Sequence, residues 1–126
     1  MVEAVIVSAL ENIKEFNNRV FPLDAPEKTP APYCAYFQSS GSEFTAFEGG
    51  CGLFEAQYEI NIVHKSYKGM KALIEAALLL LNGIEGKDGV EAVFIEESTP
   101  ERFEDETILY WKTLYLKIFY RGGITK

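Results

Sequence analysis

The chain has 126 residues, a mass of 14.2 kDa, 48% hydrophobic and 25% charged residues, which is the composition of one ordinary globular domain with no room for a second. Its longest unbroken apolar run, Ala76 to Leu81, falls far short of the roughly 20 residues that a membrane-spanning helix needs. Twelve basic against nineteen acidic residues leave a formal charge of −7, which excludes a nucleic-acid binder that works by neutralising phosphates.

The opening Met-Val-Glu-Ala has no basic segment ahead of an apolar stretch, so no signal peptide and a cytoplasmic origin are expected. Val2, Val5, Ile6, Ala9, Leu10 and Ile13 repeat at helical spacing with Glu11, Asn12, Lys14 and Glu15 opposite, which predicts an amphipathic first helix. Pro22, Pro26, Pro30 and Pro32 remove backbone donors and fix φ, so a stiff extended connection is expected there. Tyr33 to Gln38 reads as a first strand, and Ser39 to Gly52 as a Gly/Ser loop that nonetheless carries Phe44 and Phe47.

Phe54, Ala56, Tyr58, Ile60 and Ile62 alternate with Glu55, Gln57, Glu59 and Asn61, the period of a strand with one face in the core and one in water. Ser66 is the expected N-cap of a second helix whose Met70, Leu73, Ile74, Ala77, Leu78 and Leu81 share a face, with Asn82-Gly83 as its left-handed stop. Ala76, Leu79 and Leu80 carry apolar character further round that helix, which points to burial on more than one side, subunit contact included. Gly86 to Gly89 reads as a turn, Ala92 to Glu97 as a third strand and Ser98 to Glu106 as an acidic connection. The last strand, Ile108 to Tyr120, is apolar on both sides, with Leu109, Trp111, Thr113, Tyr115 and Phe119 opposite the core positions. Something must cover that second face: a loop, a bend or a neighbouring chain. The order of elements predicts an α+β fold, a four-stranded antiparallel sheet with two helices packed on one face, in a single domain spanning 1–126.

The entire charge imbalance lies between Ile84 and Glu106, where nine acids face two bases. Glu96, Glu97, Glu101, Glu104, Asp105 and Glu106 form an acidic patch, read either as a solvated edge or as a surface that meets a basic partner or repels DNA. Paired carboxylates there suit acid/base catalysis only beside a cleft and a positioned nucleophile, and neither is visible in the sequence. Glu101 to Glu106 lacks the alternating oxygen ligands and central glycine of a calcium loop. Gly49-Gly50-Cys51-Gly52 lacks the lysine and hydroxyl of a phosphate loop. Cys34, Cys51 and the single His64 complete no metal-ligand spacing; both cysteines read as reduced and structural, and His64 as the end of a strand. No catalytic residue, metal or cofactor is expected. Phe44 and Phe47 either anchor a partner or fold back over the sheet, and the same choice holds for Trp111 and Tyr115.

Taken in order, Val20-Phe21-Pro22 with Ala25-Pro26, Ala31-Pro32-Tyr33 with Tyr36, Tyr58 through Tyr67 opening a helix, and Leu116 through Arg121 resemble the small tail-completion proteins of tailed bacteriophages and prophages, which include tail-terminator and tail-to-head joining proteins. The resemblance implies a non-enzymatic protein that is made in the bacterial host cytoplasm and ends in the virion tail or neck. It implies a homo-oligomeric ring, often of six subunits, contacting the major tail-tube protein and a head-completion or neck protein, with no sequence-specific nucleic-acid binding. Phe44, Phe47, Leu79, Leu80, Trp111 and Tyr115 are then the candidate interface residues, and the acidic segment the lining of a lumen that DNA crosses without adhering. Two other readings compete: a small module that docks on another protein without self-assembly, and a small enzyme using the acidic cluster.

Overall fold

The computed structural model describes residues 2–23, 25–26, 28–46, 49–86, 89–97, 102–104 and 109–121, with the backbone path alone at 2, 42–46, 49–53 and 102–104. Helix α1 (Val2–Glu11) buries Ile6, Ala9 and Leu10. It gives way to a 3-10 turn, Lys14–Phe16, that drives Phe16 fully into the core. Asn17 and Asn18 then take positive φ of 49° and 65°, a conformation that asparagine tolerates better than most residues. They turn the chain into a short strand, β1 (Val20–Pro22), which pairs in parallel with β2 (Tyr33–Ala46). A strand ending in proline belongs at a sheet edge, where the missing N–H faces away from any ladder. The proline-rich stretch is tied back by Arg19, whose Nε donates to the Pro32 carbonyl at 3.0 Å, and Leu23, whose N–H donates to that of Tyr36 at 2.7 Å.

β2 and β3 (Gly49–His64) form one long antiparallel hairpin, in register from Tyr33 opposite Val63 to Ala46 opposite Gly49. Where a loop is expected over Ser39–Gly52, the described residues are strand, in β2 up to Ala46 and in β3 from Gly49, with register shifts at Gln38/Ser40 and Glu43/Thr45 absorbing the irregular sequence. Backbone ladder bonds need no apolar side chains, and bulges accommodate stretches that alternation cannot detect. Helix α2 (Tyr67–Asn82) follows, then β4 (Val90–Glu97), β5 (Arg102–Glu104) and β6 (Leu109–Arg121).

The sheet runs β1-β2-β3-β6-β4, with β5 pairing the first residues of β6 on the same flank as β4. It is five strands wide where four were expected, and one of its pairings is parallel. The helix stop also differs: Gly83 is right-handed at φ −73°, and the left-handed glycines are Gly86 and Gly89, at 87° and 86°. Gly83 prolongs the last turn by donating its N–H to the Leu79 and Leu80 carbonyls, so the reversal is deferred past buried Ile84 to the turn before β4.

Both helices lie on the sheet face formed by Cys34, Tyr36, Ala56, Tyr58, Ile60, Ile62, Leu114, Leu116 and Ile118. With Ile6, Leu10, Met70, Leu73, Ile74, Ala77 and Leu81 these residues make one continuous core, the main stabilising element on area grounds. Among the described residues, no helix is long and apolar enough to cross a membrane.

Candidate interaction surfaces

Among the described residues, the sheet face turned away from the helices carries no second layer, yet it is not uniformly open. Ala35, Val63 and Thr113 are buried on it, and Thr113 donates its hydroxyl to the Asn61 side-chain oxygen. Trp111 sits half-buried at that occluded end. Toward Ser39 the face opens into a groove of about 640 Å³ lined by Gln57, Phe94, Glu96, Tyr115, Lys117 and Phe119, among others. Phe94 is 58% exposed and Tyr115 44%, and Phe94 meets Phe119 edge to face at 5.9 Å. Lys117, 3.8 Å from the Glu55 carboxylate, supplies the cation of an otherwise anionic rim.

In the sequence Phe94 is hidden among the acidic residues of its strand. The signal was nevertheless present: with Val93 and Ile95 pointing inward, alternation leaves Phe94 on the opposite side. Phe44 falls at the second register shift of β2, in strand rather than loop, and Phe47 lies outside the described residues.

On the helix side, Leu79 is 76% exposed and Leu80 half-buried. Both border a shallow cleft of about 240 Å³ between α1 and α2, with Val5, Asn12 and Gly83. A third groove, of about 630 Å³, runs between α1 and the sheet and is lined by Glu3, Glu11, Tyr36, Gln38, Tyr58 and Tyr120, among others. There the Tyr58 hydroxyl donates to the Glu3 carboxylate at 3.4 Å. Burial, then the Glu3 charge, pushes the Tyr58 phenol well above its usual range, and burial with Glu3 raises that of Tyr36.

Glu96 and Glu97, the two residues of the acidic patch whose side chains are described, do not share a face of the sheet. Successive strand residues point to opposite faces, so exposed Glu96 lies on the groove side while Glu97 lies on the helix side, where its carboxylate is 2.9 Å from the Nζ of Lys112, a residue only 4% exposed. Side chains on opposite faces of the sheet do not form a carboxylate dyad at these two positions. Glu104 contributes its backbone to β5, opposite Leu109. Glu101, Asp105 and Glu106 lie outside the described residues.

His64 closes β3 and supports the N-cap of α2. Its Nδ1 accepts the Ser66 backbone N–H at 3.0 Å, and Ser66 Oγ accepts that of Gly69 at 2.8 Å, the N-cap that the sequence predicts. Burial chiefly, with some help from Lys65 and against the pull of Glu15, lowers the His64 pKa below its ordinary value. Cys34 is a free, buried thiol pushed up to about 12 by desolvation. Among the described residues, no His, Cys, Asp and Glu side chains gather in a group able to hold a metal.

The fold itself has a counterpart. The chain is similar to a protein of the virion of the native gene transfer agent (GTA) particle, with a TM-score of 0.64 over 92% of this chain and 84% of that one, at 13% sequence identity. At that identity the likeness establishes a common architecture. No protein-family model and no curated sequence matches the chain.

Proposed function

We propose that this protein is a non-enzymatic structural component of a phage-like particle. Within that class we read it as a tail-completion protein, whose copies close into a ring of six between the major tail-tube protein and a head-completion or neck protein. It is assembled in the host cytoplasm and retained in the virion. The observation that supports the structural class is the near full-length agreement in fold with a virion chain; the order of motifs in the sequence supports the tail-completion role within it. The surface supports it. Phe94 and Tyr115 on the sheet and Leu79 on α2 are apolar groups on opposite sides of the molecule, and a closed ring with head-to-tail contacts uses two different patches per subunit.

The test is the mass and shape of the purified protein by light scattering and negative-stain microscopy. Six copies of a 14.2 kDa chain give a particle of about 85 kDa with a central hole. A 14.2 kDa monomer at every concentration, alone and when mixed with the tail-tube protein of the same particle, would refute the ring.

A further inference from the structure

We infer that the two outer flanks of the sheet bond to each other between copies: the free flank of β4 in one protomer pairs, antiparallel, with the stretch of β2 beyond β1 in the next. This contact rests on the ring reading above and supplies its joint.

The hydrogen bonds fix which backbone groups point outward. On β2, the Cys34 N–H donates to the Arg19 carbonyl and the Tyr36 carbonyl accepts the Leu23 N–H, so at this end the even-numbered residues face β1. The two-residue period carries that direction to Gln38 and, past the one-residue shift beside Ser39, to Gly41 and Glu43. β1 reaches no further than Tyr36, and among the described residues no strand lies beside the rest of that flank. On the other side, the Arg121 N–H donates to the Gly89 carbonyl, so the odd-numbered residues of β6 bond toward β4. Their partners Ala92, Phe94 and Glu96 face inward, which leaves Val93, Ile95 and Glu97 facing outward, again with no strand beside them among the described residues. The Val90 carbonyl accepts the Gly86 N–H, so the open stretch begins after it. Val93, Ile95 and Glu97 on one flank therefore match Glu43, Gly41 and Gln38 on the other.

An unpaired ladder is a template for another strand, and four features commit its occupant to a second copy. β2, β3, β6 and β4 alternate in direction, so β4 runs opposite to β2; a ring axis along the strands keeps all copies the same way up and makes the joint antiparallel, the stronger ladder. β3 and β6 hold the two flanks roughly 14 Å apart, so one copy cannot join its own, while a head-to-tail neighbour can. Pairing β4 with another β4 gathers Glu91, Glu96 and Glu97 of two copies at one joint, which like charges oppose, whereas Phe37 to Ser42 on β2 carry no charge. Neither open stretch holds the proline or lysine that commonly blunts a solvent edge, whereas β1 ends in Pro22. Leu23, 74% exposed at the mouth of the β2 stretch, would be covered by the incoming strand.

Disulfide trapping tests this in the full chain. Ser40 and Glu96 are both exposed on the open face and come opposite each other in this register. A Ser40→Cys/Glu96→Cys variant is made in a Cys51→Ser background, where the remaining native thiol, Cys34, is buried. The two new thiols of one copy lie too far apart for a bond, which needs Cα atoms within about 7 Å. Mild oxidation of the assembled protein should give a ladder of covalent multiples of 14.2 kDa on a non-reducing gel, and each single variant should stay at 14.2 kDa. Gln38→Pro removes an outward N–H and no bond within one copy; circular dichroism should show it folded, with assembly weakened on the order of tenfold. A wild-type protein that stays a monomer or stops at a dimer would overturn the ring and this contact together. A wild-type ring with no ladder from the double variant, a cross-link from either single variant, or undiminished assembly of folded Gln38→Pro would overturn this contact alone.

Discussion

Replacing Gly69 by alanine sets two effects of similar size against each other, and the structure decides the sign. Gly69 is in the first turn of α2, where alanine would gain up to about 1 kcal/mol of helix propensity. A Cβ at that position would lie 2.4 to 2.7 Å from three atoms of the His64 ring, so the ring must swing away. Moving it removes the Nδ1 acceptor from the Ser66 N–H, at about 1 kcal/mol. A strained rotamer or lost packing adds a further cost of about 0.5–1.5 kcal/mol. Net destabilisation of about 1 kcal/mol is expected, equivalent to a fall of roughly 0.3–1 M in the urea midpoint. In a His64→Ala background the obstacle is gone, and the same change should stabilise by up to about 1 kcal/mol. The double-mutant cycle should therefore show a coupling near 2 kcal/mol, measured by urea unfolding at one fixed protein concentration so that assembly contributes equally throughout. Stabilisation by Gly69→Ala in the wild-type background, or a coupling indistinguishable from zero, would refute the argument.

Acid should destabilise the protein through His64: its folded pKa lies below the ordinary value of 6.5, so the unfolded chain takes up the proton first. Stability contributed by neutral His64 is complete above 6.5 and is lost as pH falls through the lower folded value, and His64→Gln should flatten that part of the pH–stability curve. The Cys34 thiol, buried and raised to about 12, should react with a thiol reagent in a Cys51→Ser variant only as fast as the protein opens globally. Phe94→Ser and Leu79→Ser remove side chains that are 58% and 76% exposed. Leu79→Ser should change monomer stability by no more than about 0.5 kcal/mol, and Phe94→Ser, which breaks the ring contact with Phe119, by about 1–2 kcal/mol. Both should cut assembly well beyond those losses when followed by light scattering, and unchanged assembly would remove these side chains from the interface.

What the sequence disclosed and what it concealed follow from one distinction. Elements that bury a periodic apolar face announce themselves: β3 through its alternation from Phe54 to Ile62, α2 through Met70 to Leu81, and the two-sided apolar character of β6 that led to Tyr115. Elements held chiefly by backbone bonding do not. The far half of the β2–β3 hairpin is written in serine, glycine and threonine, β1 is a three-residue edge ending in proline, and β5 lies in a segment that reads simply as acidic. The site followed the same logic. Glu96 and Glu97 look like a pair in sequence and are separated by the pleat, whereas Glu3, Glu11, Tyr36, Tyr58 and Tyr120 come from four elements, and no local pattern brings them together.

The position of β6 has a consequence for how the molecule is made. It is sixth among the strands in chain order yet lies inside the sheet, flanked by β3 on one side and by β4 with β5 on the other. During synthesis β4 emerges with nowhere to bond, and both it and the free flank of β3 wait as adhesive ribbons until the thirteen residues of β6 slide between them. A nascent chain halted before Leu109 would offer its neighbours two bare edges, so crowded polysomes, rather than the finished protein, are where premature clumping should begin.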